Sequence, residues 1–318
     1  MTVQFIEVYS DIGAGKHGTT HGVAMLSEYC EKIRPDSKVH KIQAQYQPIT
    51  PQHPSAKYLE YLVPFFQNNL LPNVTTALDD CQQQGDFPII ISGDHSNAMG
   101  NLAAFRNHHQ DAKVGVVWID AHADLHSIFT TPSGNMHGMP LAASLGLDNL
   151  DCQVATPNDE AVAGWNSLKQ LAKTDNFTTQ NLYFLGLRSH EPPEEHLLHT
   201  HDIFAYNAKG EKFQDAHEKL SLTQILENLT KELACLDAVY VSFDVDSLDS
   251  SLIPATGTPE PNGYSADEMQ QIFGALLSLP NVKLFEITEF NPTLDDDTDK
   301  HQTIFALLGE AVKLIEQR

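Results

Sequence analysis

The segment Lys113–Ser127, KVGVVWIDAHADLHS, constrains this chain more than any other stretch. Val114 to Ile119 is a short, β-branched apolar run bounded by polar residues, the pattern of a strand buried on both faces. It then breaks into Asp120-Ala121-His122-Ala123-Asp124. In an extended chain, side chains at i, i+2 and i+4 point to one face, so two carboxylates and an imidazole converge at the end of a buried strand. Crowded carboxylates repel one another without a cation between them, and burial makes each charge costlier. A solvated turn is the plain alternative.

Two more runs weigh against that alternative. Asp237–Phe243 (DAVYVSF) is another β-type run and ends in Asp244-Val245-Asp246, while Phe87–Ser92 (FPIIIS) leads into Gly93-Asp94-His95-Ser96. Three strands thus deliver His95, Asp120, His122, Asp124, Asp244 and Asp246 to their carboxyl ends, the edge at which open α/β sheets bind ligands. Four carboxylates and two imidazoles carry too much negative charge for one divalent ion in a compact site. They suit two ions with shared carboxylates, and a mixed Asp/His set favours Mn²⁺ over metals that prefer thiolates.

At these residues the chain resembles the ureohydrolases, the arginase and agmatinase family of dimanganese amidinohydrolases. The matching segments are SGDHS (92–96), DAHAD (120–124), SGNMHG (133–138), SFDVDSLD (242–249), PATGTP (254–259) and EFNP (289–292), spread in order over about two-thirds of the chain. SGNMHG and EFNP are similar to the arginase branch. The resemblance implies that His95 and Asp124 hold one metal, His122 and Asp246 the other, and that Asp120 and Asp244 bridge them. It places His137 as the catalytic histidine and Glu289 against the substrate guanidinium, with Thr258 near the same end. Imidazole titrates near working pH, so His137 suits a general acid that protonates the leaving amine; capping the following helix is its plain role. A carboxylate at Glu289 accepting two guanidinium N–H bonds would fix the reacting carbon. Asp94 and Asp249 are candidate acids for orienting ligands.

The substrate's far end departs from the arginase pattern. Where arginases carry Asn two residues after the metal motif, this chain has His126, and their R-D-x-D loop is matched by Arg188-Ser189-His190-Glu191. Ser133 and Asn135, which resemble the residues reading the α-carboxylate, are intact, and Glu191 with Glu194 keeps acid near the α-amino position. L-arginine hydrolysis to ornithine and urea is therefore expected. Agmatine would leave the donors at Ser133 and Asn135 unpaired, at about 1–3 kcal/mol per buried group. An agmatinase, a formiminoglutamase or another guanidino-acid hydrolase is the runner-up.

Composition excludes other classes. The 318 residues are 41% hydrophobic and 19% charged, enough for a sizeable core, and Lys+Arg 19 against Asp+Glu 42 gives a net charge of −23. That balance argues against nucleic-acid and anionic-membrane partners, and the expected partner is a small guanidino substrate, with a homo-oligomer left open. Cys30, Cys81, Cys152 and Cys235 are scattered and signal neither a thiolate site nor a disulfide framework. The start, MTVQFIEVYSDIG, lacks a signal-peptide pattern and no run reaches the ~18 apolar residues of a membrane span, so a cytoplasmic protein is expected.

Strands and helices alternate along the chain. Gln4–Ser10 reads as a first strand, followed by Gly13, Gly15 and Gly18 in G-x-G-x-x-G spacing. That would suit an NAD-dependent dehydrogenase, but the next strand, Lys38–Ile42, is followed by Gln43-Ala44-Gln45 and not by the acid that holds a ribose. A tight loop with positive φ beside the active edge is the alternative. Residues 55–84 predict two or three helical pieces interrupted by Pro64 and Pro72, and Ser96–His108 a helix ending in an exposed His108-His109 pair. The loop His126–Asn135 should line a polar pocket, with helices at Met139–Leu147 and Glu160–Lys173 and a strand at Asn181–Leu187. His190–His201 (HEPPEEHLLHTH) tempts one towards an additional metal site, but a solvated helix after Pro192-Pro193 explains His196, His199 and His201. Ile203–Tyr206 and Val282–Ile287 read as strands, and Leu222–Cys235, Ala266–Leu279 and Thr303–Glu316 as helices. The whole predicts one domain over 1–318: a three-layer α/β/α fold on a mainly parallel sheet of about eight strands. A non-catalytic, metal-stabilised scaffold is the remaining alternative, but it would require a missing ligand, His137 or Glu289, and none is missing.

Overall fold

The computed structural model describes residues 1–45, 51–215 and 217–318. Among these residues eight strands form one sheet: β1 (Val3–Tyr9), β2 (Val39–Gln43), β3 (Phe87–Ser92), β4 (Val114–Ile119), β5 (Leu182–Leu185), β6 (Phe204–Tyr206), β7 (Ala238–Asp244) and β8 (Val282–Thr288). Their order is β2-β1-β3-β8-β7-β4-β5-β6, and every pairing is parallel. Parallel strands covered on both faces must be apolar throughout, which is why β3, β4 and β5 are buried at every position.

Among the described residues, ten α-helices cover the two faces. One core layer packs under α2 (Leu59–Phe65), α3 (Leu71–Gln84), α4 (Ala98–His108), α5 (Pro140–Leu145), α6 (Asp159–Lys169) and α7 (Pro192–Thr200), with Leu62, Phe66, Trp165 and Leu198 buried there. The opposite layer packs under α1 (Thr19–Ile33), α8 (Leu222–Leu233), α9 (Ala266–Leu277) and α10 (Thr298–Glu316), around Leu26, Leu229, Phe273 and Leu308. Pro64 does not end its helix; a π-helical segment, Phe66–Leu70, joins α2 to α3 and absorbs the irregularity. α10 begins at Thr298, a turn and more ahead of the expected Thr303, because the Asp297 carboxylate caps its first turn.

Chain order explains where a site forms. The chain fills one half of the sheet with β1, β2 and β3, jumps to β4 and moves outward through β5 and β6, then returns to place β7 and β8 in the gap. The centre of the sheet is thus β3-β8-β7-β4, and the carboxyl ends of these four strands meet where the winding direction reverses.

Two expectations need correction. His108 and His109 are half-buried: His109 packs edge-on against Phe105, with ring centroids 4.6 Å apart, and His108 Nδ1 lies 3.0 Å from an Asp79 carboxylate oxygen. Burial pushes His109 down to about 4, so it is neutral. In the Gly13–Gly18 loop only Gly18 has positive φ, 129°; Gly13 is needed for close approach, since a Cβ there would lie 2.3 Å from Ser96 Oγ.

Candidate metal centre

The convergence of acids and imidazoles is real, but an extended strand does not produce it. β4 stops at Ile119, the chain bends at Asp120, and Asp124 takes a left-handed φ of 51°. At the end of β7 a 3₁₀ turn, Val245–Ser247, replaces the expected alternation, with the Asp244 carboxylate accepting the Asp246 N–H at 2.8 Å. His95 begins a 3₁₀ turn after β3 that is capped by Asp94.

The six residues fall into two overlapping groups. His95 Nδ1 lies 3.0 Å from Asp120 Oδ2 and 3.2 Å from both Asp124 Oδ2 and Asp244 Oδ2. His122 Nδ1 lies 3.0 Å from Asp246 Oδ2 and 3.5 Å from Asp120 Oδ1. Asp120 therefore faces both groups, one oxygen to each, and its Oδ1 also accepts the His122 N–H at 2.7 Å. Asp244 turns Oδ2 to the His95 group and Oδ1 to the backbone of Asp246.

Electrostatics sets the character of the cluster. Burial and the neighbouring carboxylates push Asp124 up to about 6 and raise Asp244 well above the ordinary carboxylate range; burial also raises Asp246. Burial alone would lower His95 and His122, yet the surrounding acids hold both well above the ordinary imidazole value. His95 Nδ1 and Asp120 Oδ2 are buried and, although 3.0 Å apart, are not aligned for a hydrogen bond, and neither has another partner of good geometry. Nitrogen and carboxylate donors that are buried, mutually repelling and turned inward at two adjoining points fit divalent cations.

A supporting shell escaped the sequence reading. His95 Nε2 lies 2.8 Å from Ser242 Oγ, whose hydroxyl donates to Glu286 Oε2 at 3.1 Å. Glu286, in the middle of β8 and fully buried, also accepts from Tyr240 Oη at 2.5 Å and Asn101 Nδ2 at 2.7 Å. The His95 ring stacks on Trp118, centroids 4.0 Å apart and 5° from parallel. These contacts fix the ring plane and leave Nδ1 for the cluster. An acid in the middle of LFEIT, a central strand, was the legible signal.

Asp94 and Asp249 do not orient the ligand side chains directly. Asp94 accepts the N–H groups of Gly13 and Ser96, tying the first loop to the site; burial pushes it up to about 7. Asp249 closes its own loop by accepting from Ser251, Asn262 and Gly263. The G-x-G-x-x-G loop is likewise occupied: Asp11 accepts the Gly18 N–H at 2.7 Å, so a carboxylate stands where a phosphate would have to bind.

Above the cluster opens a cavity of about 450 Å³, lined by the six metal-type residues, by His137 and Glu289, and by His126, Ser133, Asn135, Glu191, Glu194 and Thr258, with Lys16, Thr131 and Glu260 also in its wall. His137 Nδ1 lies 3.2 Å from Glu289 Oε1, and its backbone N–H donates to Gly13 O. Burial alone would lower the His137 pKa, but Glu289 pushes it up to about 9, so the ring is charged at neutral pH. Glu289 sits just after β8 with φ 65° and accepts the His95 N–H at 2.9 Å through the same Oε1. Burial alone would raise it, but His137 holds it below its ordinary value. Oε1 is thus committed, which leaves Oε2 and not a two-oxygen fork for a guanidinium. Thr258 Oγ1 donates to Asp246 Oδ2 at 3.2 Å.

The far rim holds the other expected residues. Ser133 Oγ accepts the Asn135 N–H at 3.2 Å. His126 Nε2 lies 2.9 Å from Glu191 Oε2 and 3.5 Å from Glu194 Oε2. Glu191 is the N-cap of α7 and Glu194 its third residue, closing a capping box, while Glu194 also accepts the Leu125 N–H at 3.0 Å. His196 and His199 are exposed on α7 as expected, whereas His201, just past the end of that helix, is half-buried; among the described residues none of the three joins a metal-type group. A larger cavity, about 550 Å³, lies at the amino ends of β3 and β8, where Phe87, Val282 and Arg318 line it. It shares no residue with the acid cluster.

Comparisons with known proteins agree with this architecture. Residues 1–313 match the arginase family. The chain is 32% identical over 239 residues to the arginase of Bacillus caldovelox, covering 74% of this chain and 72% of that one. It is 28% identical to the arginase of Brevibacillus brevis over 96% of both chains. Among solved structures, Helicobacter pylori arginase superposes with a TM-score of 0.79 at 25% identity over 98% of this chain and 99% of that one. The formimidoylglutamase of Bacillus subtilis shares the fold, with a TM-score of 0.70 at 17% identity over 99% and 87%. The chain belongs to the arginase family, and it is a metal-dependent hydrolase of the amidine-cleaving type. No helix among the described residues is long and apolar enough to cross a membrane.

Proposed function

We propose that this chain, as one domain over residues 1–318, is a dimanganese amidinohydrolase that cleaves L-arginine with water to L-ornithine and urea. His95 and Asp124 would hold one ion and His122 and Asp246 the other, with Asp120 and Asp244 shared between them. When bound, two such ions supply Lewis acidity and lower the pKa of water from about 15.7 towards neutrality. The chain's own residues do the rest. Glu289 Oε2 accepts guanidinium N–H bonds and sets the reacting carbon above the cluster. His137, charged and held by Glu289 through Nδ1, gives a proton from Nε2 to the departing δ-nitrogen. Ser133 and Asn135 bind the α-carboxylate, and Glu191 and Glu194 face the α-amino group.

The observation that carries the arginine reading is the rim itself: Ser133 and Asn135 line the same cavity as His137 and Glu289. A second reading rests on His126, whose ring already lies against the two acids that an α-ammonium would need. It favours a carboxylate-bearing guanidino or formimino compound without that amine. Comparing kcat/KM for arginine, agmatine, 4-guanidinobutyrate and formiminoglutamate separates the readings; arginine is expected to lead, and any other winner overturns that assignment.

A further inference from the structure

The carboxylate-reading loop is held from outside the family motifs by the segment His53–Tyr58. Gly134 has φ +75°, and a Cβ on it would lie 1.8 Å from Pro54 O, so the two segments are in backbone contact. The Lys57 N–H donates to Gly134 O at 2.8 Å, and Tyr58 takes a left-handed φ of 59° to let the chain leave into α2. The Lys57 ammonium then donates to Asn135 Oδ1 at 3.0 Å. An ammonium has donors and no acceptor, so it dictates which end of the amide it meets. The Asn135 Nδ2 is turned the other way, against Gly15, where a Cβ would come within 2.5 Å of it. Lys57 thus selects the orientation of the amide, and the absence of a side chain at Gly15 leaves room for its Nδ2.

The geometry points to Lys57 as a positioning residue for selectivity: it holds Asn135 with its N–H₂ edge ready for a substrate carboxylate. This rests on the reading of Asn135 as a carboxylate donor. The need is electrostatic. The rest of the cavity wall is dominated by acids, among them Glu191, Glu194, Glu260 and Glu289, which repel an anion. Lys57 behind Asn135, with Lys16 in the wall, sets positive charge at the one side where an anion must dock. Without Lys57 the amide is free to rotate, and half of its orientations present Oδ1 to the carboxylate and repel it. A substrate ending in hydrogen or a bare amine at that position loses nothing.

The test compares Lys57→Met, Lys57→Gln and Lys57→Arg with wild type, using arginine and its decarboxylated counterpart agmatine as substrates. The product pair L-ornithine and putrescine is measured by calorimetry on the metal-replete protein, so the result does not depend on turnover. In Lys57→Met, KM for arginine and Kd for ornithine should rise at least about tenfold, the scale of one lost charge-assisted hydrogen bond. Its kcat should stay within about twofold, and agmatine and putrescine should be unaffected; Lys57→Arg should restore most of the loss, and Lys57→Gln part of it. An equal loss for both members of each pair, or no loss for either, overturns the inference. A wild type that prefers agmatine refutes the arginine assignment instead, and the carboxylate-to-decarboxylated ratio in Lys57→Met still decides the role of Lys57.

Discussion

At the scale of single residues, function is concentrated in side chains whose charge is uncomfortable without a partner. Asp120 turns one oxygen to His95 and the other to His122, so Asp120→Ala should cost more metal than loss of any acid that serves one group; Asp244→Ala should come next. Metal analysis of the purified variants checks that order. Protons compete with metal for these groups. Asp124 is pushed up to about 6, and Asp244 is also raised, so metal affinity should be full well above pH 6 and fade as pH falls through it, with protons released on loading. His137→Asn should lower turnover by about 10²–10⁴-fold, the usual scale for an acid–base group, with metal content unchanged. Wild-type turnover in that variant would reduce His137 to a structural role. Glu286 reaches the cluster only through Ser242 and the His95 ring, and Ser242→Ala or Glu286→Gln should weaken metal binding by about 10–100-fold while the sheet stays folded.

At the scale of elements, the strands were the most legible part of the chain and the site's backbone the least. β3, β4 and β7 announce themselves because strands buried on both faces must be apolar at every position. The chemistry at their ends was visible for the same reason: acids and histidines directly after such apolar runs stand out as buried polar groups that need a partner. The way those residues converge was not visible, because it depends on the left-handed Asp124 and on a 3₁₀ turn after Asp244, which no periodicity encodes. Supporting contacts from distant segments were equally hidden. Ser242 and Glu286 lie on adjacent strands, and Lys57 meets Asn135 across 78 positions of chain. The histidines of α7 show the converse, a sequence signal without a site. His196→Ala combined with His199→Ala should leave metal content and urea release unchanged, because both side chains are exposed on α7 and neither lines the cavity.

At the scale of the whole molecule, a long return of the chain makes the site possible. β7 and β8 come last in the sequence but occupy the middle of the sheet, so the acids of β7 and Glu289 after β8 reach their partners only when the last third of the chain is in place. Metal binding should therefore be coupled to folding of the entire sheet. Heating the metal-loaded protein is expected to give one transition, at higher temperature than the metal-free form, and separate early and late transitions would speak against a single domain. The central claim is that two ions, held by the two overlapping groups around Asp120, are required for amidine cleavage. It is tested most directly by titrating Mn²⁺ into chelated protein while bound metal and urea release from L-arginine are measured together. Activity should climb with occupancy and reach its plateau at two ions per chain; full activity with one ion bound, or with none, would contradict the account.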